Sequence, residues 1–344
     1  MKLVTIAGTR PEIIKLAHLV PLLNNNFDHK FVYTGQHYSP NMSDIFIDEL
    51  NITPDYDLQS NTSEINVIKD KMLPILKQLQ PDWVVVYGDT NSSMAAALAA
   101  DEIKSKIIHV EAGVRDFDMH VPEEALRIRI DEMSEYLFSP SSFCTAVLSY
   151  ENIKGKVFTS GNLVVDVCKN LSNIASNKSL PPSVPKEFLL LTLHRPENVD
   201  NPRNLELLMN HVCSTDKSIV FPVHPRTQKN LQKFGIKVPS NVLLIDPLGY
   251  IEFLSLMLKS RLILTDSGGI QEESITIKKP CITLRHTSAR WETILLGSNI
   301  LFPPDREDSL DEVIRKMIDK KIFKNPYGEN VAQKIIEVLK NELK

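Results

Sequence analysis

The sequence predicts an α/β protein made of two doubly wound, Rossmann-like halves that face each other across a cleft, and three observations carry that prediction. The chain has 344 residues, more than one ordinary hydrophobic core accommodates. Short apolar runs, each closing on a polar or glycine turn and followed by a helical pattern, recur along it, as parallel β-α units do. That alternation stops at SLPPSVP (179–185) and then begins again.

In the first half, KLVTIA (2–7) is a buried strand ending at Gly8. Pro11 opens a helix with apolar positions Ile13, Ile14, Leu16, Leu19, Val20 and Leu23. A strand is expected at 30–34 and a helix near 41–50. Ser63 is placed to cap an amphipathic helix over 64–79, which Pro81 ends. WVVVY (83–87) is a central strand closing on Gly88-Asp89-Thr90, the alanine-rich 92–100 a helix, and 106–110 a strand closing on Glu111-Ala112-Gly113.

In the second half, strands are expected at 188–193 (ending at His194-Arg195), 219–223 (His224-Pro225), 242–245, 262–265 (Asp266-Ser267-Gly268-Gly269) and 281–284 (Arg285). A last helix over 330–343 follows Asn325-Pro326-Tyr327-Gly328. The expected division is 1–168 for the first domain and 169–328 for the second. The polar turns collect at the C-terminal ends of the strands, where open parallel sheets bind ligands.

Composition narrows the function classes. A chain that is 42% hydrophobic and 24% charged folds into a globular body, and a net charge of −4 supplies no basic field for nucleic acid. No run approaches the roughly 18 apolar residues of a membrane helix, and the apolar start is too short for a secretion signal, so a cytoplasmic protein without membrane or nucleic-acid partners is expected. Cys144, Cys168, Cys213 and Cys281 form no CxxC pair and have no histidine at zinc spacing, so they read as buried reduced thiols, with no metal site.

Four groups carry chemistry. Gly8-Thr9-Arg10-Pro11-Glu12 offers helix N-terminal N–H groups and an arginine fork to a phosphate. Ser267-Gly268-Gly269 opens a helix and exposes successive N–H groups, a cradle for a diphosphate, with Glu272 or Glu273 placed to accept from ribose hydroxyls. Asp89, Glu111 and the pair Glu123-Glu124 set carboxylates at strand ends, as proton transfer requires. His194 and His224 lie at neighbouring strand ends and can donate to phosphate. GxGxxG is missing, so no dinucleotide cofactor is indicated. The set asks for an anionic, nucleotide-type substrate and acid/base chemistry.

Eight ordered motifs, GTRPEIIK (8–15), TGQHY (34–38), GDTNSS (88–93), HVEAGVR (109–115), PEEALR (122–127), LHRPEN (193–198), DSGGIQEE (266–273) and NPYG (325–328), resemble the UDP-N-acetylglucosamine 2-epimerase family over nearly the whole chain. The resemblance implies a GT-B-like fold whose last helix, 329–344, crosses back to the first domain, and a cytoplasmic homodimer serving polysaccharide biosynthesis. It implies interconversion of UDP-GlcNAc and UDP-ManNAc without a cofactor, by elimination of UDP to a 2-acetamidoglucal and re-addition. It implies a catalytic group of Lys15, Asp89, Glu111 and Glu123 together with His194, which holds the departing diphosphate with Arg10. Ser267, Gly268 and Gly269 also serve the diphosphate, Glu273 the ribose, Phe253 the uracil, and Arg285 and Arg290 phosphate or sugar. Two segments depart from the family pattern: the short loop Arg115-Asp116-Phe117-Asp118-Met119-His120, and 287–292, which keeps Arg290 beside an atypical Ala289 and Trp291. The region 59–64 is short where relatives bind a second, activating UDP-GlcNAc, so such activation is not expected. Competing readings are a 2-epimerase of a modified UDP-sugar (a diamino uronic acid or a 6-deoxy sugar), a hydrolysing epimerase releasing ManNAc and UDP, a GT-B glycosyltransferase, and a non-enzymatic nucleotide-sugar sensor.

Overall fold

A strand buried on both faces must be apolar throughout, and Trp83–Tyr87 is buried at all five positions. It is the fourth strand in the chain (β4) and sits at the middle of a sheet in a computed structural model that describes residues 1–36, 52–322 and 324–343. The helix expected near 41–50 and the end of the TGQHY motif lie outside those residues. The chain divides into two units, Met1–Val167 with Pro326–Lys344, and Cys168–Asn325.

In the first unit the strands are β1 (Lys2–Ala7), β2 (Asp28–Tyr33), β3 (Tyr56–Asp57), β4, β5 (Lys106–Val110), β6 (Tyr136–Ser139) and β7 (Lys156–Thr159). They form a parallel sheet in the order β3-β2-β1-β4-β5-β6-β7. The order reverses between β1 and β4, which makes their C-terminal turns the switch point where such sheets take ligands. Apolar clusters cover both faces, Leu3, Phe31 and Val85 on one and Val4, Ile6 and Val84 on the other.

The first helix is broken where the sequence reads continuously. Arg10–Leu16 and Leu19–Asn26 are separate helices. Pro21 is the cause: in one continuous helix its ring would meet the carbonyl of Ala17, whereas three residues into a new helix its missing N–H costs nothing. The expected Ser63 cap is also corrected. The helix Ile65–Leu79 starts after Glu64 with no side-chain cap, and the Ser63 carbonyl accepts from Asn91 Nδ2.

In the second unit the strands are β8 (Leu189–Thr192), β9 (Ile219–Pro222), β10 (Val242–Ile245), β11 (Ile263–Thr265), β12 (Cys281–Thr283) and β13 (Asn299–Leu301). They form a parallel sheet in the order β10-β9-β8-β11-β12-β13, with the switch point between β8 and β11. After this unit the chain returns to the first. Val331, Ile335, Ile336 and Leu339 of the last helix, Val331–Glu342, join the core with Leu19 and Leu23. The Asp166 carboxylate accepts from Val331 N (3.1 Å) and Ala332 N (2.8 Å), so the helix start has an acceptor for its orphan donors. Three cysteines are buried as expected and Cys213 is exposed. Burial pushes the Cys281 thiol up to about 12, which keeps it protonated and inert. Among the described residues no helix is long and apolar enough to cross a membrane.

Candidate functional site

In the first unit the turns after β1, β4 and β5 lie side by side. Gly8 is required by close approach: a Cβ there would stand 1.9 Å from Ser92 Oγ and 2.4 Å from Thr34 Oγ1. The N–H groups following β1, expected to be open to a phosphate, are taken by the chain itself. Glu12 accepts from Gly8 N (2.8 Å) and Thr9 N (2.7 Å) with one oxygen, and from Thr90 Oγ1 (2.7 Å) and Ser93 Oγ (2.9 Å) with the other. Burial raises the Glu12 pKa, against the lowering effect of these donors. The first motif therefore ties the β1 turn to the β4 turn, and of the groups expected there for a phosphate Arg10 is the one left.

Lys15 is buried and donates to Glu111 Oε2 at 2.7 Å. The Tyr87 hydroxyl, at the end of β4, donates to the same oxygen through a short hydrogen bond. Glu111 Oε2 thus accepts from both an ammonium and a phenol. The Glu111 backbone is left-handed, φ 75°, a strained conformation for a residue with a Cβ and one that collects at functional sites. Asp89 pairs with Arg127, whose Nε lies 2.7 Å and Nη2 2.6 Å from Oδ2. Arg127 Nη1 also reaches Asp116 (2.8 Å) and Glu124 (2.9 Å).

The acid pair 123–124, expected at a strand end, stands instead in the first turn of the helix Pro122–Met133, where Pro122 opens the helix, and it separates into two roles. Glu124 is buried and accepts from the N–H groups of Asp116 and Phe117, both at 2.8 Å, so it braces the loop 115–120. Glu123 is the half-exposed member.

In the second unit Asp266 is fully buried and accepts from His194 N (3.1 Å), Arg195 N (2.9 Å) and Asn198 Nδ2 (3.2 Å). It shapes the His194-Arg195 turn around its own strand end. Desolvation by the surrounding protein lowers the His194 pKa, with Asp266 opposing, so the neutral imidazole is favoured. The His194 and His224 rings stand 6.3 Å apart.

Gly268 and Gly269 open the helix Gly268–Thr276. Among the described residues outside its own helix and chain neighbours, a Cβ at Gly269 would meet nothing within 4 Å, and one at Gly268 would touch Arg290 at 4.0 Å. Those residues do not demand glycine there, and a glycine-led helix N-terminus suits an anionic ligand. Ser267 N donates to Thr265 Oγ1 at 3.0 Å, which leaves its hydroxyl as the group to offer.

Glu273 is buried and accepts from Tyr250 OH at 3.1 Å. Burial, then the Glu273 charge, push the Tyr250 pKa well up, which keeps the phenol a donor. Phe253 is half-buried on the same helix, Tyr250–Lys259. Arg285 Nε lies 3.1 Å from Glu197 Oε1, and Arg290 pairs with the fully buried Glu272.

The sequence-level candidates thus fall into two sets: Arg10, Lys15, Asp89, Glu111 and Glu123 in the first unit, and His194, Phe253, Ser267, Gly268, Gly269, Glu273, Arg285 and Arg290 in the second. Reading the sequence missed Tyr87 and Tyr250, and it placed Glu12 in a motif without its bracing role. Tyr87 had one signal, its place as the only hydroxyl-bearing residue, and the last, of the strand WVVVY.

Two doubly wound parallel sheets, with carboxylates at the switch point of one and an open glycine-led helix at that of the other, define a GT-B-like α/β enzyme. The family model described as UDP-N-acetylglucosamine 2-epimerase matches residues 22–340, and the chain belongs to that family. It is 41% identical to a UDP-N-acetylglucosamine 2-epimerase of Methanocaldococcus jannaschii, covering 98% of this chain and 99% of that one. A crystal structure of the M. jannaschii enzyme in complex with UDP-GlcNAc and UDP superposes with a TM-score of 0.92 at 41% identity, over 99% of this chain and 100% of that one. A UDP-2,3-diacetamido-2,3-dideoxy-D-glucuronate 2-epimerase of Pseudomonas aeruginosa is 37% identical, over 94% of each chain.

Proposed function

We propose that this protein interconverts UDP-GlcNAc and UDP-ManNAc by eliminating UDP and adding it back. The observation that supports the reading is that the first unit sets Glu111, left-handed and held by Lys15 and Tyr87, near Asp89, held by Arg127, and that the second unit opens a helix on Gly268-Gly269. The C2 proton of the sugar is not adjacent to a carbonyl, so enolisation cannot remove it. A carboxylate takes that proton as the C1–O bond to UDP breaks, and 2-acetamidoglucal results. UDP then re-forms the C1–O bond while a proton is delivered to the other face of C2. Asp89 and Glu111 are the proposed proton-transfer pair, Glu123 a second acid/base, and Lys15 the cation that holds Glu111. The helix start at Gly268 and Gly269, with Ser267, Arg10, His194, Arg285 and Arg290, would stabilise the departing diphosphate, Glu273 the ribose and Phe253 the uracil. No cofactor enters the balance.

The Pseudomonas relative, at 37% identity, keeps a diacetamido uronic acid substrate as the second reading. A cytoplasmic homodimer is the expected state, read out by light scattering. Proton NMR of the protein with UDP-GlcNAc in D2O tests the function. The expected result is UDP-ManNAc carrying deuterium at C2. Free ManNAc and UDP would replace the reading with hydrolysis, and an unchanged spectrum alongside turnover of the diacetamido glucuronate would replace the substrate.

A further inference from the structure

A buried histidine–carboxylate pair that the proposed reaction does not use lies directly beneath the two acid-bearing turns. His109, the fourth residue of β5, and Asp131, in the helix Pro122–Met133, are 1% and 0% exposed. His109 Nδ1 meets Asp131 Oδ1 at 2.6 Å, and His109 Nε2 donates to the Gly88 carbonyl at 2.9 Å. Gly88 precedes Asp89. The other Asp131 oxygen accepts from Gly113 N at 3.1 Å and from Arg115 Nη2 at 2.7 Å, and Gly113 closes the turn that begins with Glu111.

Resting on the function proposed above, we infer that Asp131 and His109 are positioning residues that lock the Asp89 and Glu111 turns to one another. The Glu111 turn needs such a lock. Glu111 (φ 75°) and Gly113 (φ 79°) are both left-handed, and Phe138 O alone accepts from Glu111 N (3.0 Å) and Ala112 N (3.1 Å). The third N–H of the turn, that of Gly113, has the Asp131 carboxylate. Strained backbone persists only where its surroundings over-determine it. The Gly88 turn is held from the same pair: Gly88 N donates to Val110 O at 2.9 Å and Gly88 O accepts from His109. Burial opposes ionisation of Asp131, but His109 and then Arg115 hold its pKa below the usual carboxylate range, so the acceptor of Gly113 N stays charged. Arg115 is kept in place by Glu151, at 3.0 Å and 2.7 Å.

The role is geometric, which makes the isosteric variant informative. In Asp131→Asn the amide oxygen still accepts from Gly113 N and Arg115, and the amide nitrogen donates to His109 Nδ1. His109 then keeps its Nε2 hydrogen for Gly88 O, so every hydrogen bond survives while the charge is lost. His109→Leu instead releases Gly88 O, and His109→Asn is too short to span Asp131 and Gly88.

The experiment measures kcat and KM for UDP-GlcNAc, the Kd of UDP, and amide exchange of peptides covering 86–90 and 109–115 in wild type and the three variants. His109→Leu is expected to lower kcat on the order of 100-fold, since displacing a reacting group by about 1 Å costs that much. UDP Kd should hold within about threefold, exchange at both turns should rise, and Asp131→Asn should keep kcat within about tenfold of wild type with slow exchange. If His109→Leu does not fold, His109→Asn must show the same split. Unchanged kcat in the histidine variants, a parallel loss of kcat and UDP affinity, or an Asp131→Asn variant as impaired as His109→Leu would each overturn the inference. A wild type that does not turn over UDP-GlcNAc counts against the function, and the exchange data still decide the lock.

Discussion

Replacing Gly269 by alanine should make the protein more stable and a worse binder of UDP. Glycine inside a helix costs roughly 0.5–1 kcal/mol relative to alanine, and in the first turn the gain is taken as about 0.5 kcal/mol. Gly269 has helical rather than left-handed backbone and a Cβ there meets no atom of the other described elements within 4 Å, so no clash with them offsets that gain. For a protein of this size the melting temperature should rise by about 1–2 °C. If the diphosphate lies against this helix start, the new methyl occupies its place and displaces it from one N–H group. Hydrogen bonds to a charged group are worth about 1.5–3 kcal/mol each, so UDP affinity should fall on the order of 10- to 100-fold. Isothermal titration with UDP beside a thermal melt reads both. A Gly269→Ala variant that melts higher and binds UDP as wild type does would refute a ligand at this helix start, and the glycine would then have no account in the fold either.

Two further outcomes follow from single side chains. Burial pushes His29 down from 6.5 to about 4, and its ring nitrogens lie 2.7 Å from Thr5 Oγ1 and 2.6 Å from Asn24 Oδ1, a pairing that suits the neutral ring. The unfolded chain takes a proton near 6.5 and the folded one only near 4, so stability falls as pH drops through that window, by about 3 kcal/mol in all. Urea melts at pH 7 and pH 4 should show His29→Gln losing about that much less than wild type, and equal losses would dismiss the assignment. Tyr250→Phe removes the donor that orients Glu273. UDP affinity should fall about tenfold. The preference for UDP over 2′-deoxy-UDP should shrink with it, and an unaltered preference would mean that Glu273 does not read the ribose.

The parts of the fold that sequence patterning revealed are the central strands. WVVVY and KIIHV are covered on both faces, so each reads as a nearly unbroken apolar run, and both lie where they were expected. Lys156–Thr159 and Asn299–Leu301 were not foreseen, because both are sheet-edge strands and neither is buried along its whole length. The break at 17–18 was hidden for the opposite reason: apolar spacing continues straight across it, and only the clash of Pro21 with the Ala17 carbonyl stops the helix. In the site, the strand-end carboxylates were legible from their position alone. Their partners were not, since Tyr87 is 24 residues from Glu111, Arg127 38 from Asp89 and Tyr250 23 from Glu273. Sequence spacing carries no information about which side chains meet across a sheet edge.

That blindness matters most for the acids, which the sequence presents as equals. Their donors distinguish them. Glu12, Glu124 and Asp131 each accept main-chain N–H groups, from Gly8 and Thr9, from Asp116 and Phe117, and from Gly113. A carboxylate that terminates backbone amides cannot take up a proton without leaving those amides poorly satisfied in a buried place, a penalty of about 1–3 kcal/mol for each. Such acids are framework. Glu111 accepts from Lys15 and Tyr87, and Asp89 from Arg127, groups borne on side chains that can shift as a carboxylate changes charge. Proton transfer needs a carboxylate whose surroundings tolerate both of its states, and these side-chain donors are the ground on which Asp89 and Glu111 are proposed for it. The framework acids then have a purpose of their own: Glu12 fixes the turn before the first helix against the β4 turn, and Asp131 holds Gly113 in the Glu111 turn and, through His109, Gly88 beside Asp89. In the proposed mechanism Asp89 and Glu111 keep their spacing because other carboxylates hold the backbone that carries them.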